Sequence, residues 1–147
     1  MGTPDTSTTL YYSPGAASLL VHWLLIELDV PHALHLVDTA AKVQKSPGYL
    51  AMNPNGVVPT LVLDGKPQYE AAALAMLLAE RHADAGLAPG IDDPRRGDYL
   101  QWMFNLANMV QPLLRHVGQV EHPLQVIGTP RVVERRRQAR IGMTLGQ

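Results

Sequence analysis

The sequence of 147 residues contains no cysteine. Disulfide staples, thiolate metal sites and cysteine nucleophiles are excluded together by that one absence. It also agrees with a reducing compartment, and a soluble cytoplasmic protein is expected. Aromatic residues are few, at 5%, with a single phenylalanine. No apolar run is long enough to span a bilayer, and MGTPDTSTTL has neither the basic start nor the apolar stretch of a leader. No membrane partner is expected. Net charge is also small, at −1, but unevenly placed. Residues 1–127 carry −5 and residues 128–147 carry +4, concentrated in RVVERRR. That run reads either as a nucleic-acid patch or as a solvated basic tail. No aromatic residue interleaves its arginines, so the tail is the reading adopted, with no nucleic-acid partner.

What the chain does have is 46% hydrophobic and 17% charged residues, enough for one cored domain or a domain plus a fragment. Thr9–Tyr12 is a short β-prone run, and Ala16–Leu28 reads as an apolar helix that stops before Pro31. HALHLVD, residues 32–38, alternates as a second strand. KSPGYLAMNPNG is rich in turn residues, with at most a short helix over Tyr49–Met52. VPTLVLDGKPQYE predicts two strands joined at Asp64-Gly65. Helices follow over Glu70–His82 and Arg95–Val117, with a Gly/Pro/Asp linker at 83–94 between them. A last short helix is expected over Val132–Ile141.

The order is βαβ, then ββα, with one helix outside. A β-α-β unit makes a parallel pair, and the Asp-Gly hairpin adds antiparallel strands at one edge. A mixed four-stranded sheet with flanking helices results, which is the thioredoxin layout, an α/β class. Within it, the junction LYYSPGAAS runs from strand through tight turn to helix start, a common seat of catalytic groups. Its residues are mostly unreactive. Either a hydroxyl acts there or only a cradle of backbone N–H groups does. His22 and Trp23 lie mid-helix on an apolar segment and read as packing residues. The six histidines have no spacing that suggests a metal site, and no metal is expected.

From about Leu10 to Leu114 the sequence resembles the glutathione transferases, and its opening resembles the bacterial beta class. LYYSPGAAS, NPNGVVPTLVLDG, EAAALAMLLAERH and YLQWMFNLANMVQPLL carry the likeness. The resemblance implies a thioredoxin-like glutathione-binding domain at 8–83, a linker at 84–93, and a truncated all-helical domain with an atypical basic tail at 94–147. It implies a cis bond at Val58-Pro59, leaving the Val58 N–H and C=O for the cysteinyl backbone of glutathione. Glu70 and Ala71 then receive the γ-glutamyl end, Ala71 through its N–H at a helix start. Glu70 also reads simply as a helix N-terminal acid. Lys42 aligns with a lysine that reaches the glycyl carboxylate, or is a plain surface lysine.

Ala17 stands where the beta class has its cysteine, and Ala71 where the family has serine. Mixed-disulfide chemistry is therefore impossible. A hydrogen-bond donor near the thiol would still yield the reactive thiolate. Ser13 is the first catalytic candidate, then Tyr12, then Ser18. Ser13 also reads as a turn hydroxyl capping Ala16. Strand alternation lets only one of Tyr11 and Tyr12 face a cleft. Ala107 and Asn108 replace a His-Lys pair of the beta class. Trp102 and Leu106, with Met103 and Met109, are candidates for an acceptor pocket or a dimer face. The implied activity is conjugation of reduced glutathione, a co-substrate, to a small electrophile by a homodimer. The alternative is a catalytically impaired glutathione-binding or dimerising protein.

Overall fold

The computed structural model of the protein describes residues 8–112. Strand β1 (Thr8–Tyr12) sends Thr8 and Leu10 into the core. Helix α1 (Ser18–Glu27) follows, starting two residues later than the apolar run suggests. Pro14–Ala17 is spent on the turn, where Gly15 takes φ +69° and the Ala16 N–H donates to the Ser13 carbonyl at 3.3 Å. The helix ends in a Schellman motif. Asp29 sits at φ +52°, its N–H donates to the Ile26 carbonyl at 3.1 Å, and the Val30 N–H donates to that of Leu25 at 2.9 Å.

Strand β2 (Ala33–Leu36) lies parallel to β1, with Leu10 opposite Leu34. It is shorter than the expected 32–38. Leu34, His35 and Leu36 are all exposed, so its alternation marks an edge strand rather than a half-buried one. Helix α2 (Pro47–Met52) is capped by the Ser46 hydroxyl, which accepts the Tyr49 N–H at 3.4 Å, and Pro47 stands at its first turn. Strands β3 (Thr60–Leu63) and β4 (Lys66–Tyr69) form the expected hairpin. Asp64 at φ +53° and Gly65 at φ +74° give the doubly left-handed turn that suits a twisted two-residue connection. The sheet order is β2-β1-β3-β4, with β1/β3 and β3/β4 antiparallel. Pro67 is tolerated because β4 is an edge.

Helix α3 (Ala71–Arg81) buries Leu74, Ala75, Leu78 and Ala79. Together with Val21 and Leu25 of α1 and Leu10, Leu61 and Leu63 of the sheet, these form the core. Each fully buried leucine contributes about 1.5–3 kcal/mol of transfer energy. A 3-10 turn at Ala83–Ala85 interrupts the linker, and α4 (Arg96–Asn105) continues into a π-turn at Leu106–Val110. Arg96 ties α4 down through Glu80 of α3 and the Pro89 carbonyl. The expected Val132–Ile141 helix and the basic tail lie outside the described residues. Among the described residues, no helix is long and apolar enough to cross a membrane.

Only one face of α1 is buried. Leu19, Trp23 and Ile26 are exposed, so Trp23 is not the packing residue its setting suggests. His22 is part-buried, with the Tyr12 ring at 6.4 Å and His32 edge-on at 5.3 Å. Burial, and secondarily the second imidazole, hold its pKa below the ordinary histidine value. The unfolded chain therefore binds the His22 proton more readily than the folded one. Stability is complete above about pH 6.5 and declines as pH falls from there toward the folded pKa. The melting temperature should drop between about pH 7.5 and about pH 5.5. His22→Gln should flatten that decline in the same calorimetric scans.

Candidate functional site

Three segments meet at the end of the sheet: the turn after β1, the loop after β2 and the loop before β3. The first is fixed from within. The Ser13 N–H donates to Ser18 Oγ at 3.2 Å, and the Ser18 hydroxyl donates to the Ser13 carbonyl at 3.1 Å. Both residues are buried. The Ser13 hydroxyl lies 3.2 Å from Thr39 Oγ1 and does not cap Ala16, whose N–H takes the Ser13 backbone carbonyl instead. Thr39 is held in turn by its carbonyl, which accepts the Lys42 N–H at 3.2 Å and Gln44 Nε2 at 3.3 Å.

The loop before β3 is fixed by a buried amide. Asn53 is fully enclosed, and its Nδ2 donates to the Val57 carbonyl at 2.8 Å and to Thr60 Oγ1 at 3.1 Å. Its Oδ1 accepts the Asn55 N–H at 3.1 Å. The Tyr49 hydroxyl reaches the same two residues, donating to the Val57 carbonyl at 2.8 Å and accepting from the Thr60 hydroxyl at 2.8 Å. Burial pushes the Tyr49 phenol up, so it stays a protonated donor. Gly56 is required by both its φ of +58° and its surroundings. A Cβ there would meet Lys45 Nζ at 2.8 Å and the Gln44 carbonyl at 3.0 Å. The bond that follows, Val58-Pro59, is cis, as the resemblance implies. Among the described residues the Val58 N–H and C=O have no hydrogen-bond partner.

Beside this loop, Glu70 takes φ +76° and ψ 103° at the cap of α3, an uncommon conformation for a residue with a side chain. Its carboxylate is exposed and accepts from Asn55 Nδ2 at 3.4 Å. Ala71 is buried at the first position of α3, where helical N–H groups have no partner within the helix. Lys42 is exposed with φ +58°, and its side chain contacts none of these groups. Lys45, three residues on, is the one that reaches the loop, donating to the Asn55 carbonyl at 3.2 Å.

A cleft of about 180 Å³ opens where the segments meet. Ala16 and Ala17 form one wall, Gly56, Val57 and Val58 another, and Thr39 and Gln44 the third. Gln44 Oε1 is buried without a donor among the described residues. Of the sequence candidates, the structure brings Val58 and the alanine at the cysteine position into this cleft. Neither tyrosine lines it: Tyr12 packs on the core, and Tyr11 stacks on His35 at 4.6 Å and meets Tyr49 edge-on at 6.1 Å. Trp102 lines a separate cavity of about 470 Å³ between the linker and α4, which shares no residue with the cleft. Leu106 is exposed at the start of the π-turn. Thr39, Gln44 and Asn53 were not singled out in the sequence. Asn53 does open NPNG, but nothing marks a lone threonine in VDTAAK. Among the described residues, no three of His, Asp or Glu group as metal ligands.

Residues 16–81 match the family described as "Glutathione S-transferase, N-terminal domain". The chain is similar to glutathione S-transferase GST-4.5 of Xanthomonas campestris pv. campestris, 36% identical over 64% of this chain and 45% of that protein. It is 34% identical to glutathione S-transferase GstA of Escherichia coli O157:H7, over 67% of this chain and 50% of that one. The chain thus spans about half the length of these curated relatives. Among solved structures, a glutathione transferase homolog from Sulfitobacter with bound glutathione superposes at a TM-score of 0.67, with 32% identity, over 80% of this chain and 58% of that one.

Asn53 and Tyr49 both donate to the Val57 carbonyl and both bond the Thr60 hydroxyl, so each covers for the other at Val57. Asn53→Ala should destabilise by about 1–3 kcal/mol and Tyr49→Phe by about 1 kcal/mol. The double variant strands the Val57 carbonyl and should cost more than the two together. Urea unfolding of the four proteins measures this, and strictly additive losses would contradict it.

Proposed function

This chain belongs to the glutathione S-transferase family, and from that premise we propose that it binds reduced glutathione and adds the thiolate to a small electrophile. The observation that carries the reading is the partnerless peptide of Val58 beside the cleft. An N–H and a C=O offered side by side match the backbone of a cysteinyl residue, as a neighbouring strand would. With the cysteinyl unit paired there beside Pro59, the γ-glutamyl end extends toward α3. Its carboxylate is received by the Ala71 N–H and the positive end of the helix, and its ammonium by Glu70. The glycyl carboxylate lies on the lysine side, toward Lys42 and Lys45. Trp102 and Leu106, the acceptor-site candidates, line no part of the cleft. Conjugation of this kind removes reactive electrophiles, and we assign the protein a detoxifying role in the cytoplasm.

One observation favours the second reading, a glutathione-binding or dimerising protein with impaired catalysis. Neither Ser13 nor Tyr12, the first two hydroxyl candidates, lines the cleft. A generic chlorinated aromatic acceptor separates the readings, because binding with no turnover supports the second.

The assembly proposed is a homodimer. No residue of α4 is buried, and Trp102, Leu106 and Met109, spaced along one side of α4 and its π-turn, are all exposed. We assign this face to the glutathione domain of a second copy. Light scattering at micromolar concentration should show at least a dimer, and a monomer would contradict the assignment. Binding itself is tested by calorimetry. Glu70→Ala should weaken glutathione about tenfold or more, the loss of one charge-assisted contact of roughly 1.5–3 kcal/mol. Equal affinity in both proteins would sink the placement of the γ-glutamyl end.

A further inference from the structure

We propose that Thr39, and not Ser13, is the catalytic donor to the glutathione thiolate, and that Ser13 is the positioning residue behind it. The assignment rests on the transferase reading above. Five of the seven residues lining the cleft are alanine, glycine or valine, with no side-chain donor. The remaining two are Thr39 and Gln44. The Gln44 amide nitrogen is turned to the Thr39 carbonyl at 3.3 Å, and its oxygen can only accept. With the cysteinyl backbone on Val58, its side chain projects toward the opposite walls. Thr39 offers the hydroxyl there.

The polarity of the Ser13–Thr39 pair follows from counting protons. Each hydroxyl has one hydrogen to donate. Ser13 is 8% exposed and does not line the cleft, and its oxygen is 3.2 Å from Thr39 Oγ1. If Thr39 donated to Ser13, the hydrogen of this largely enclosed Ser13 would have no acceptor among the described residues. If Ser13 donates to Thr39, its hydrogen is satisfied and the Thr39 hydrogen is free for the cleft. A thiolate there completes the chain: Ser13 to Thr39, Thr39 to sulfur. The thiol proton leaves to water, and Thr39 keeps its own. Such a chain polarises each link and strengthens the last one. The Thr39 backbone is also anchored, its carbonyl accepting the Lys42 N–H at 3.2 Å.

The test measures thiolate absorbance of bound glutathione against pH, with affinity followed in parallel by calorimetry. Thr39→Val and Thr39→Ala should each raise the thiol pKa by about one to two units, the reach of one charge-assisted hydrogen bond. Thr39→Ser should titrate within a few tenths of a unit of the wild type. Ser13→Ala should give a smaller rise than Thr39→Val, since it removes only the second link. Affinity should change little in all four. A Thr39→Val titration equal to the wild type, or a larger shift in Ser13→Ala than in Thr39→Val, overturns the assignment while leaving the transferase reading intact. A wild-type chain that binds no glutathione overturns both.

Discussion

The side-chain amide of Asn53 is the constraint on which the cleft depends. It lies wholly inside the protein yet belongs to a loop, and its hydrogens are spent on the Val57 carbonyl and the Thr60 hydroxyl. Two residues of loop backbone are thereby fastened to the first residue of β3, with the Tyr49 hydroxyl as a second fastening from α2. A loop tied at that many points cannot fold back to satisfy its own peptides. The Val58 peptide is left beside the cleft without a partner among the described residues. Buried polar groups of this kind are favourable only when fully satisfied, and here they are.

The other walls obey the same logic of prior commitment. The Ser18 hydroxyl bridges the N–H and the carbonyl of Ser13, so the first turn of α1 and the end of β1 move as one body. Glu70 is held at a positive φ between β4 and α3. Strain of this sort is typically about 1–3 kcal/mol and survives only where neighbours determine the backbone. The hairpin on one side and the buried Leu74 and Leu78 on the other supply that determination.

Much of the fold was legible because its signals are local. Asp64-Gly65 can make only a few turns, the alanine-rich run after Glu70 is helical by composition, and the strand and helix order permits few topologies. The cis bond at Val58-Pro59 was legible from the resemblance alone, since nothing in a Val-Pro pair distinguishes cis from trans. The exposure of β2 and of Trp23 was not legible, because apolar residues read as interior whether or not a neighbour covers them. Thr39 was the clearest omission. Its place in the site comes from a contact with Ser13, 26 residues earlier in the chain, and no motif records such a pairing. Lys42 and Lys45 show the same limit at short range. Lys42 is the lysine the resemblance singles out, while Lys45 is the one whose side chain donates to the loop.

The two borders of the sheet differ in a way that bears on handling the protein. The outer strand β4 carries Lys66 and Pro67, a charge and a missing donor, both of which discourage pairing with another chain. The opposite border, β2, reads Ala-Leu-His-Leu and leaves Leu34 and Leu36 largely open to water. It is a short strand with no charge and no proline of its own, and Pro31 and Asp38 stand just beyond its two ends. Of the two borders, β2 is therefore the less guarded against pairing with another chain. A lysine at position 34 or 36 would guard that side without touching the cleft.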